Sequence, residues 1–124
     1  MQDLNFEQMM RMQRELQALH AGEWDTLTPE VGRSQLLWMV EEVGEVIAIF
    51  KKKGAQAIME DPAVRAAFLE EMGDVIMYFT DVLLCMGVAP EEFAAAYVHK
   101  HDYNMQRDYR AQNRALYQGQ AEDA

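Results

Sequence analysis

Two acidic pentapeptides, Glu41-Glu42-Val43-Gly44-Glu45 and Glu70-Glu71-Met72-Gly73-Asp74, each lie inside an apolar stretch of the chain. Around the first pentapeptide, apolar side chains recur at helical spacing, so we expect a helix with a core-facing stripe. That stripe consists of Leu36, Val40, Val43, Ile47 and Phe50. The second stretch is apolar around most of a helical circumference, which predicts a deeply buried helix. Both stretches therefore indicate an all-α fold.

For four acids of these pentapeptides, every charged residue three or four positions away is also an acid. Residues three apart on a helix lie side by side, so Glu42 converges with Glu45, and Glu71 with Asp74. Helical charge runs are usually solvated faces with paired ions, but no lysine or arginine lies three or four positions from these acids. A divalent cation is the simplest compensation, because Mg²⁺ binds carboxylate oxygens and Mn²⁺ accepts similar ligands. The spacing predicts Glu42, Glu45, Glu71 and Asp74 as Mg²⁺ ligands, with Mn²⁺ as a substitute.

Histidine is absent from both pentapeptides, which separates them from di-iron helical bundles. Those bundles use a Glu-x-x-His motif, whereas the residues three after Glu42 and Glu71 are Glu45 and Asp74. A hard, non-redox cation is therefore favoured over iron.

The complete acidic pattern is Glu41-Glu42-x-x-Glu45 followed, after 25 residues, by Glu71-x-x-Asp74. It resembles the signature of the MazG-like, all-α nucleoside triphosphate pyrophosphohydrolases. Tyr78 and the later Lys100-x-x-x-Asn104-x-x-Arg107-x-Tyr109 are similar to positions in relatives that hydrolyse deoxynucleoside triphosphates. The resemblance covers residues 16–109. It implies an oligomeric bundle of four to five helices that binds Mg²⁺ and converts a nucleoside triphosphate to the monophosphate and pyrophosphate.

The polar residues around the acids receive roles from this resemblance. Lys100, Asn104 and Arg107 follow one another at i, i+4 and i+7, with no acid three or four positions from either cation, which suits a polyphosphate. The cations would stabilise the leaving pyrophosphate. Glu41 or Glu45 would position or deprotonate the attacking water, and the sequence does not divide this role between them.

The substrate pocket is expected to involve Tyr78, with Asn104, at the sugar or a phosphate. Some relatives place an aromatic residue and a histidine against the nucleobase, where this chain has Trp24 and His20. The alternative is that Trp24 pins its loop to the core and His20 ends the first helix.

Signals for helix ends divide the chain. Asn5 is a candidate cap, Thr28-Pro29 begins a short turn, Asp61-Pro62 begins a long helix and Gly87 ends it. The predicted helices cover about 5–20, 34–53, 61–86 and from 90 onward, with a short connector at 56–61. We expect one MazG-like domain over 1–111 and a flexible tail over 112–124.

Composition limits the partners. A formal charge of −10 over 124 residues argues against nucleic-acid binding, which requires a basic face. No apolar run approaches the ~20 residues that span a bilayer, and the N-terminus lacks a secretion signal. Cys85, the only cysteine, is expected to be a buried thiol. We therefore expect a soluble cytoplasmic protein whose partner is a small nucleotide, without a membrane.

Ten methionines and an apolar third predicted helix leave more hydrophobic surface than a small monomer hides, which predicts a homodimer or homotetramer. Related functions stay open. Phosphoribosyl-ATP pyrophosphohydrolases and dimeric dUTPases share similar acidic motifs and differ in the pocket. A helical dimer that binds nucleotide or metal without turnover is the non-enzymatic alternative.

Overall fold

The computed structural model describes residues 3–123, with side chains for residues 3–108 and 110–117. This range contains six α-helices and no strand. The helices are α1 (Phe6–Leu19), α2 (Gly32–Lys53), α3 (Ala55–Glu60), α4 (Pro62–Cys85), α5 (Pro90–Gln106) and α6 (Tyr109–Asp123). A 3-10 turn, Pro29–Val31, precedes α2. The all-α prediction is confirmed, and the fold is compatible with a helical bundle of the expected kind.

Local capping chemistry determines most of the helix ends. The Asn5 side chain accepts a hydrogen bond from the Gln8 N–H at 2.8 Å, and the Gln8 side chain accepts one from the Asn5 N–H at 2.9 Å. Asp61 accepts from two N–H groups in the first turn of α4. Gly54 after α2 and Gly87 after α4 have φ angles of 84° and 68°, which favour glycine. These boundary predictions are confirmed.

Backbone contacts divide the chain into two units, Met1–Glu91 and Glu92–Ala124. Within the first unit α4 is the central helix. The α2 helix makes the most extensive contact with it, and α1, α3 and the 3-10 turn also contact it. The α2–α4 pair therefore positions both acidic pentapeptides. The single domain over 1–111 stays a prediction.

Polar side chains occupy half of the buried positions outside glycine in the described chain. The buried apolar residues are Met10, Val46, Ile58 and Cys85. The buried polar residues are Gln13, Gln35, Thr80 and Asp81. The Thr80 hydroxyl donates to the Ile76 carbonyl at 2.8 Å, which satisfies it within α4. The burial of Cys85 confirms the buried thiol.

The apolar stripe of α2 is not core-facing, so that prediction is wrong. Its five side chains, from Leu36 to Phe50, are 37% to 59% exposed. The buried and half-buried positions follow a second stripe with alternating steps of three and four. This stripe comprises Gly32, Gln35, Met39, Glu42, Val46 and Ile49. The first unit therefore covers a stripe of α2 that mixes polar and apolar residues, and it leaves the apolar stripe exposed.

The deep burial predicted for α4 is also only partly correct. Its C-terminal half contains the buried Thr80, Asp81 and Cys85, but Leu69, Met72, Ile76 and Met77 are exposed. Among the described helices, none is by itself long and apolar enough to span a membrane. The α4 and α5 helices meet the length and composition of a span only when taken together as a bent pair.

The second unit contains most of α5 and all of α6. The α6 helix lies where a flexible tail was predicted, and its helical backbone was not foreseen. Flexibility of 112–123 stays a prediction, and Ala124 lies outside the described residues.

Candidate functional site

Three carboxylates converge between α2 and α4. Glu42 of α2 and Glu71 and Asp74 of α4 each offer a carboxylate oxygen, and these oxygens lie within 4.8 Å of one another. All three side chains are half-buried. Glu42 reaches this place because it belongs to the stripe of α2 that is buried, and the other two lie three apart on α4. Converging carboxylate oxygens are the ligands that Mg²⁺ and Mn²⁺ prefer.

The electrostatics of this acidic cluster disfavour three ionised groups. Burial raises the pKa of Glu42, and a hydrogen bond with Glu71 and the charges of Asp74, Glu71 and Glu45 raise it further. A hydrogen bond between two carboxyl groups requires a proton on one of them. No lysine, arginine or histidine forms an ion pair with the cluster among the described residues. Without a cation, the cluster therefore retains a proton more readily than an isolated glutamate.

The other two acids of the first pentapeptide lie outside this group of three. Glu41 and Glu45 are exposed on α2. Glu45 is close enough for its charge to raise the pKa of Glu42, but it is not among the carboxylates within 4.8 Å of one another. The structure thus brings together three of the four expected ligands. The roles of Glu41 and Glu45 at the metal and the water stay predictions.

A cavity of about 440 Å³ extends from the acidic cluster between α1, α2 and α4. Its lining consists of Gln13, Leu16, Gln17, Trp24, Asp25, Gln35, Trp38, Glu42, Asp74, Met77, Tyr78 and Asp81. The lining combines two indole rings, three amides and four carboxyl groups, and it contains no cation. Its volume is in the range of small-molecule sites, which is roughly 300–1,000 Å³.

A buried carboxyl group lies in this lining beside two amides. Asp81 is 3% exposed, and its two oxygens accept hydrogen bonds from Gln13 Nε2 at 2.8 Å and Gln17 Nε2 at 3.3 Å. Burial raises the pKa of Asp81, while both amide bonds act in the opposite direction. Burial and the charge of Asp81 raise the pKa of the Cys85 thiol, which disfavours a reactive thiolate.

Tyr78 lies one helical turn beyond Asp74 and lines the cavity. Burial raises the pKa of its phenol, followed by the charges of Glu42, Asp81, Asp74 and Glu41. The hydroxyl group therefore stays protonated and can donate a hydrogen bond.

Trp24 and His20 form a stacked pair at the end of α1. Their ring centroids are 4.1 Å apart with an interplanar angle of 18°. His20 is the C-terminal cap residue of α1, and its Nδ1 lies 3.5 Å from a carboxylate oxygen of Glu23. Trp24 lines the cavity, whereas His20 stacks on the indole and does not belong to the lining. His20 thus ends its helix, and contact of either residue with a nucleobase stays a prediction.

No protein-family model matches the chain, and no curated protein matches it. The resemblance to MazG-like hydrolases therefore depends on the acidic motifs, and the all-helical fold is compatible with it.

The basic residues expected at the substrate belong to the second unit. Lys100 Nζ lies 5.0 Å from the centre of the Tyr103 ring, and the Arg107 guanidinium lies 5.6 Å from it. Two cations thus contact the same aromatic ring. Binding of a polyphosphate by Lys100, Asn104 and Arg107 stays a prediction.

The amides and the acid at the far end of the cavity were not predicted from the sequence. Gln13 is buried in α1, and a glutamine at a core position is itself a signal. Asp81 lies in an apolar helix, with Met77, Tyr78, Leu84 and Cys85 three and four positions away. Applying the same neighbour test to every acid would have identified it.

Proposed function

We propose that this protein is a Mg²⁺-dependent nucleoside triphosphate pyrophosphohydrolase that produces a nucleoside monophosphate and pyrophosphate. The observation that carries the proposal is the convergence of Glu42, Glu71 and Asp74 within 4.8 Å, without a lysine or arginine partner among the described residues. The motif resemblance supplies the reaction and the position of cleavage.

The donor set fits a hard divalent cation, since it consists of carboxylates without imidazole or thiolate. Glu42, Glu71 and Asp74 would hold Mg²⁺, with Glu45 as a fourth ligand or a bridge through water. The bound ion supplies charge neutralisation at phosphate oxygens and lowers the pKa of a water molecule.

The chain's own residues then perform the remaining tasks. A water molecule attacks the α-phosphorus, the bond to the bridging oxygen breaks and pyrophosphate leaves. Glu45 or Glu41 accepts the proton of that water, since both are exposed carboxylates within one turn of Glu42. The motif resemblance assigns Lys100 and Arg107 to the charge on the pyrophosphate, and Asn104 to a phosphate or the sugar.

The proposal includes a homodimer or homotetramer. The exposed apolar stripe of α2 supports it, because a monomer would leave these side chains in water. Light scattering at micromolar concentration tests it, and a monomer contradicts it. The proposed nucleotide substrate and a single cysteine, the buried Cys85, support a cytoplasmic location.

Release of pyrophosphate, measured separately from phosphate, tests the function. A panel of nucleoside triphosphates is incubated with and without Mg²⁺, and phosphoribosyl-ATP and dUTP are included to separate the related activities. Asp74→Asn is expected to lose about 100-fold or more of the activity. Glu70→Gln is the matched control, because it removes one negative charge from an exposed neighbour on the same helix. Equal activity of both variants, with helicity retained in circular dichroism, contradicts the proposal.

A further inference from the structure

The end of the cavity away from the acidic cluster has a defined hydrogen-bonding character. Gln13 and Gln17 direct their Nε2 donors to Asp81. A carboxylate only accepts hydrogen bonds, so these contacts fix which end of each amide faces Asp81. The remaining side-chain atoms of the two glutamines are carbonyl oxygens, which accept. This end of the cavity therefore has a surplus of acceptors.

Gln35 adds an amide that the protein leaves without a partner. Its side chain is 8% exposed, it lines the same cavity, and it makes no hydrogen bond among the described residues. Its amide atoms are not among the enclosed side-chain atoms that lack a partner in the described chain, so they are open to the cavity. A ligand in the cavity can therefore both accept from and donate to this amide.

The walls of the cavity suit a flat ring. Trp24 and Trp38 present indoles, and Leu16 and Met77 present apolar side chains. Trp24 is held by the stacked His20 at 4.1 Å. Aromatic rings stack on one another at offset geometry with centroids roughly 4.5–7 Å apart. A planar heterocycle therefore fits these walls better than a sugar or an aliphatic chain.

The spacing along α4 matches the length of a nucleotide. Asp74, Tyr78 and Asp81 lie at i, i+4 and i+7, on one face of the helix. At 1.5 Å rise per residue, the two acids are about 10 Å apart along the axis. That is the order of the distance from the first phosphate of a nucleotide to the far edge of its base.

We propose that Gln13, Gln35 and Asp81 form the base-recognition end of this cavity and select bases that carry an exocyclic amino group. Asp81 and the Gln13 carbonyl accept from the amino group, and Gln35 donates to the adjacent ring nitrogen or carbonyl oxygen. Cytosine, adenine and guanine belong to this class. Uracil, thymine and hypoxanthine do not, because they present a carbonyl oxygen or a hydrogen where the amino group would be. The inference rests on the proposed function in taking the ligand to be a nucleotide.

Calorimetric binding of nucleoside monophosphates to the full 124-residue protein tests the selection without requiring turnover. The probes are dCMP against dUMP, and dGMP against dIMP, which differs from dGMP only in lacking the 2-amino group. At least one amino-bearing member is expected to bind about tenfold or more tightly than its partner, as hydrogen bonds to a charged group imply. Equal affinity within both pairs overturns the proposal.

Two variants assign the preference to these residues. Asp81→Asn replaces one of the two acceptor oxygens with an NH₂ donor and keeps the shape of the side chain. It should abolish the preference for the amino-bearing monophosphate. Gln35→Met removes an amide that has no partner within the described protein, so the thermal stability should be unchanged or higher. If Gln35 had only a structural role, the variant would keep the preference for the amino-bearing monophosphate. The proposal predicts a loss of preference in this stable variant. Asp3→Asn, which removes an exposed carboxylate, should retain the wild-type preference.

Failure of this inference differs from failure of the proposed function. Pyrophosphate release without any preference between the paired monophosphates, or a preference that survives in Gln35→Met, overturns the base-recognition site alone. A preference that Gln35→Met removes, in a protein that releases no pyrophosphate, supports the site and contradicts the hydrolase.

Discussion

Replacing Glu71 with glutamine should stabilise the protein when no divalent cation is present. Glu71 takes part in two of the three carboxylate pairs of the acidic cluster, with Glu42 and with Asp74. The variant removes the charge of Glu71 but keeps nearly the same shape. Its amide can also donate to Glu42, which replaces the shared proton of the carboxyl pair.

The distances allow the size of this effect to be worked out. Two unit charges 4.8 Å apart repel one another by about 0.9 kcal/mol at the permittivity of water, and by more where the site is half-buried. At a pH where all three groups are ionised, losing two such pairs should raise the free energy of unfolding by about 1–2 kcal/mol after screening by solvent. For a chain of this size, that corresponds to a rise of about 3–8 °C in Tm.

The assay is thermal unfolding, followed by circular dichroism, in EDTA and in excess Mg²⁺ at a pH where carboxyl groups are ionised. Mg²⁺ at 100 times its Kd adds about 2.7 kcal/mol to a protein that binds it only when folded. The wild type should gain this stabilisation, and Glu71→Gln should gain less because it has lost a ligand. The difference in Tm between Glu71→Gln and the wild type should therefore be smaller in Mg²⁺ than in EDTA, or it should change sign.

The control is Glu70→Gln, which removes the same charge from the adjacent exposed position. Three or four positions from Glu70, the only acid is Asp74. The variant should therefore raise the free energy of unfolding in EDTA by no more than a few tenths of a kcal/mol, with a correspondingly small rise in Tm. If Glu71→Gln is less stable than the wild type in EDTA, or if Mg²⁺ stabilises both proteins equally, the reasoning about the cluster is wrong.

Three further predictions concern other parts of the first unit. Burial raises the pKa of Asp81, so the folded state binds this proton more tightly than the unfolded chain. The stability that Asp81 contributes is therefore present at low pH and is lost as pH rises through the raised pKa. Urea unfolding midpoints, measured in EDTA across a pH series, should fall less steeply with rising pH for Asp81→Asn than for the wild type. Met10 is 0% exposed, so Met10→Ala should lower the free energy of urea unfolding by about 2–5 kcal/mol, whereas Met12→Ala at an exposed position of the same helix should change it little. Gly44 lies inside α2, where a Cβ would meet no atom within 4 Å. Gly44→Ala should therefore raise the stability of the monomer by about 0.5–1 kcal/mol in urea unfolding, and a decrease would indicate that a second copy packs on this face.

Helix boundaries were predictable because the interactions that set them are local. Asn5, Asp61 and Gly87 each act within a few residues of their own position, and each has the predicted effect in the structure. The α6 helix was missed because its sequence is polar, although Asp108 caps it by accepting a hydrogen bond from the Ala111 N–H at 3.0 Å. Its helical backbone in 109–123 has no counterpart in an apolar pattern that could have been recognised from sequence.

The direction in which α2 faces could not be predicted from its sequence. Apolar periodicity identifies a stripe, but it does not tell whether that stripe packs against the same chain or stays exposed. Counting apolar residues favoured the stripe of Leu36 and Ile47, but the stripe containing Val46 is the buried one. Spacing did predict that Glu71 and Asp74 converge. It also placed Glu42 near them, because two facing helices were assumed for the metal.

The buried stripe of α2 violates the rules of a stable helix at two positions, and both violations face the same cavity. Gln35 is an amide at a buried position that makes no hydrogen bond among the described residues, and Glu42 is a half-buried carboxyl group beside two others. An apolar residue at either position would make the α2–α4 contact more stable. Positions where local stability rules fail are expected to be functional ones. Asp81 is a third such position on the opposite helix, where an acid is buried without a cation. Three polar side chains at buried or half-buried positions that line one cavity are better explained by a ligand that binds there than by separate defects of packing.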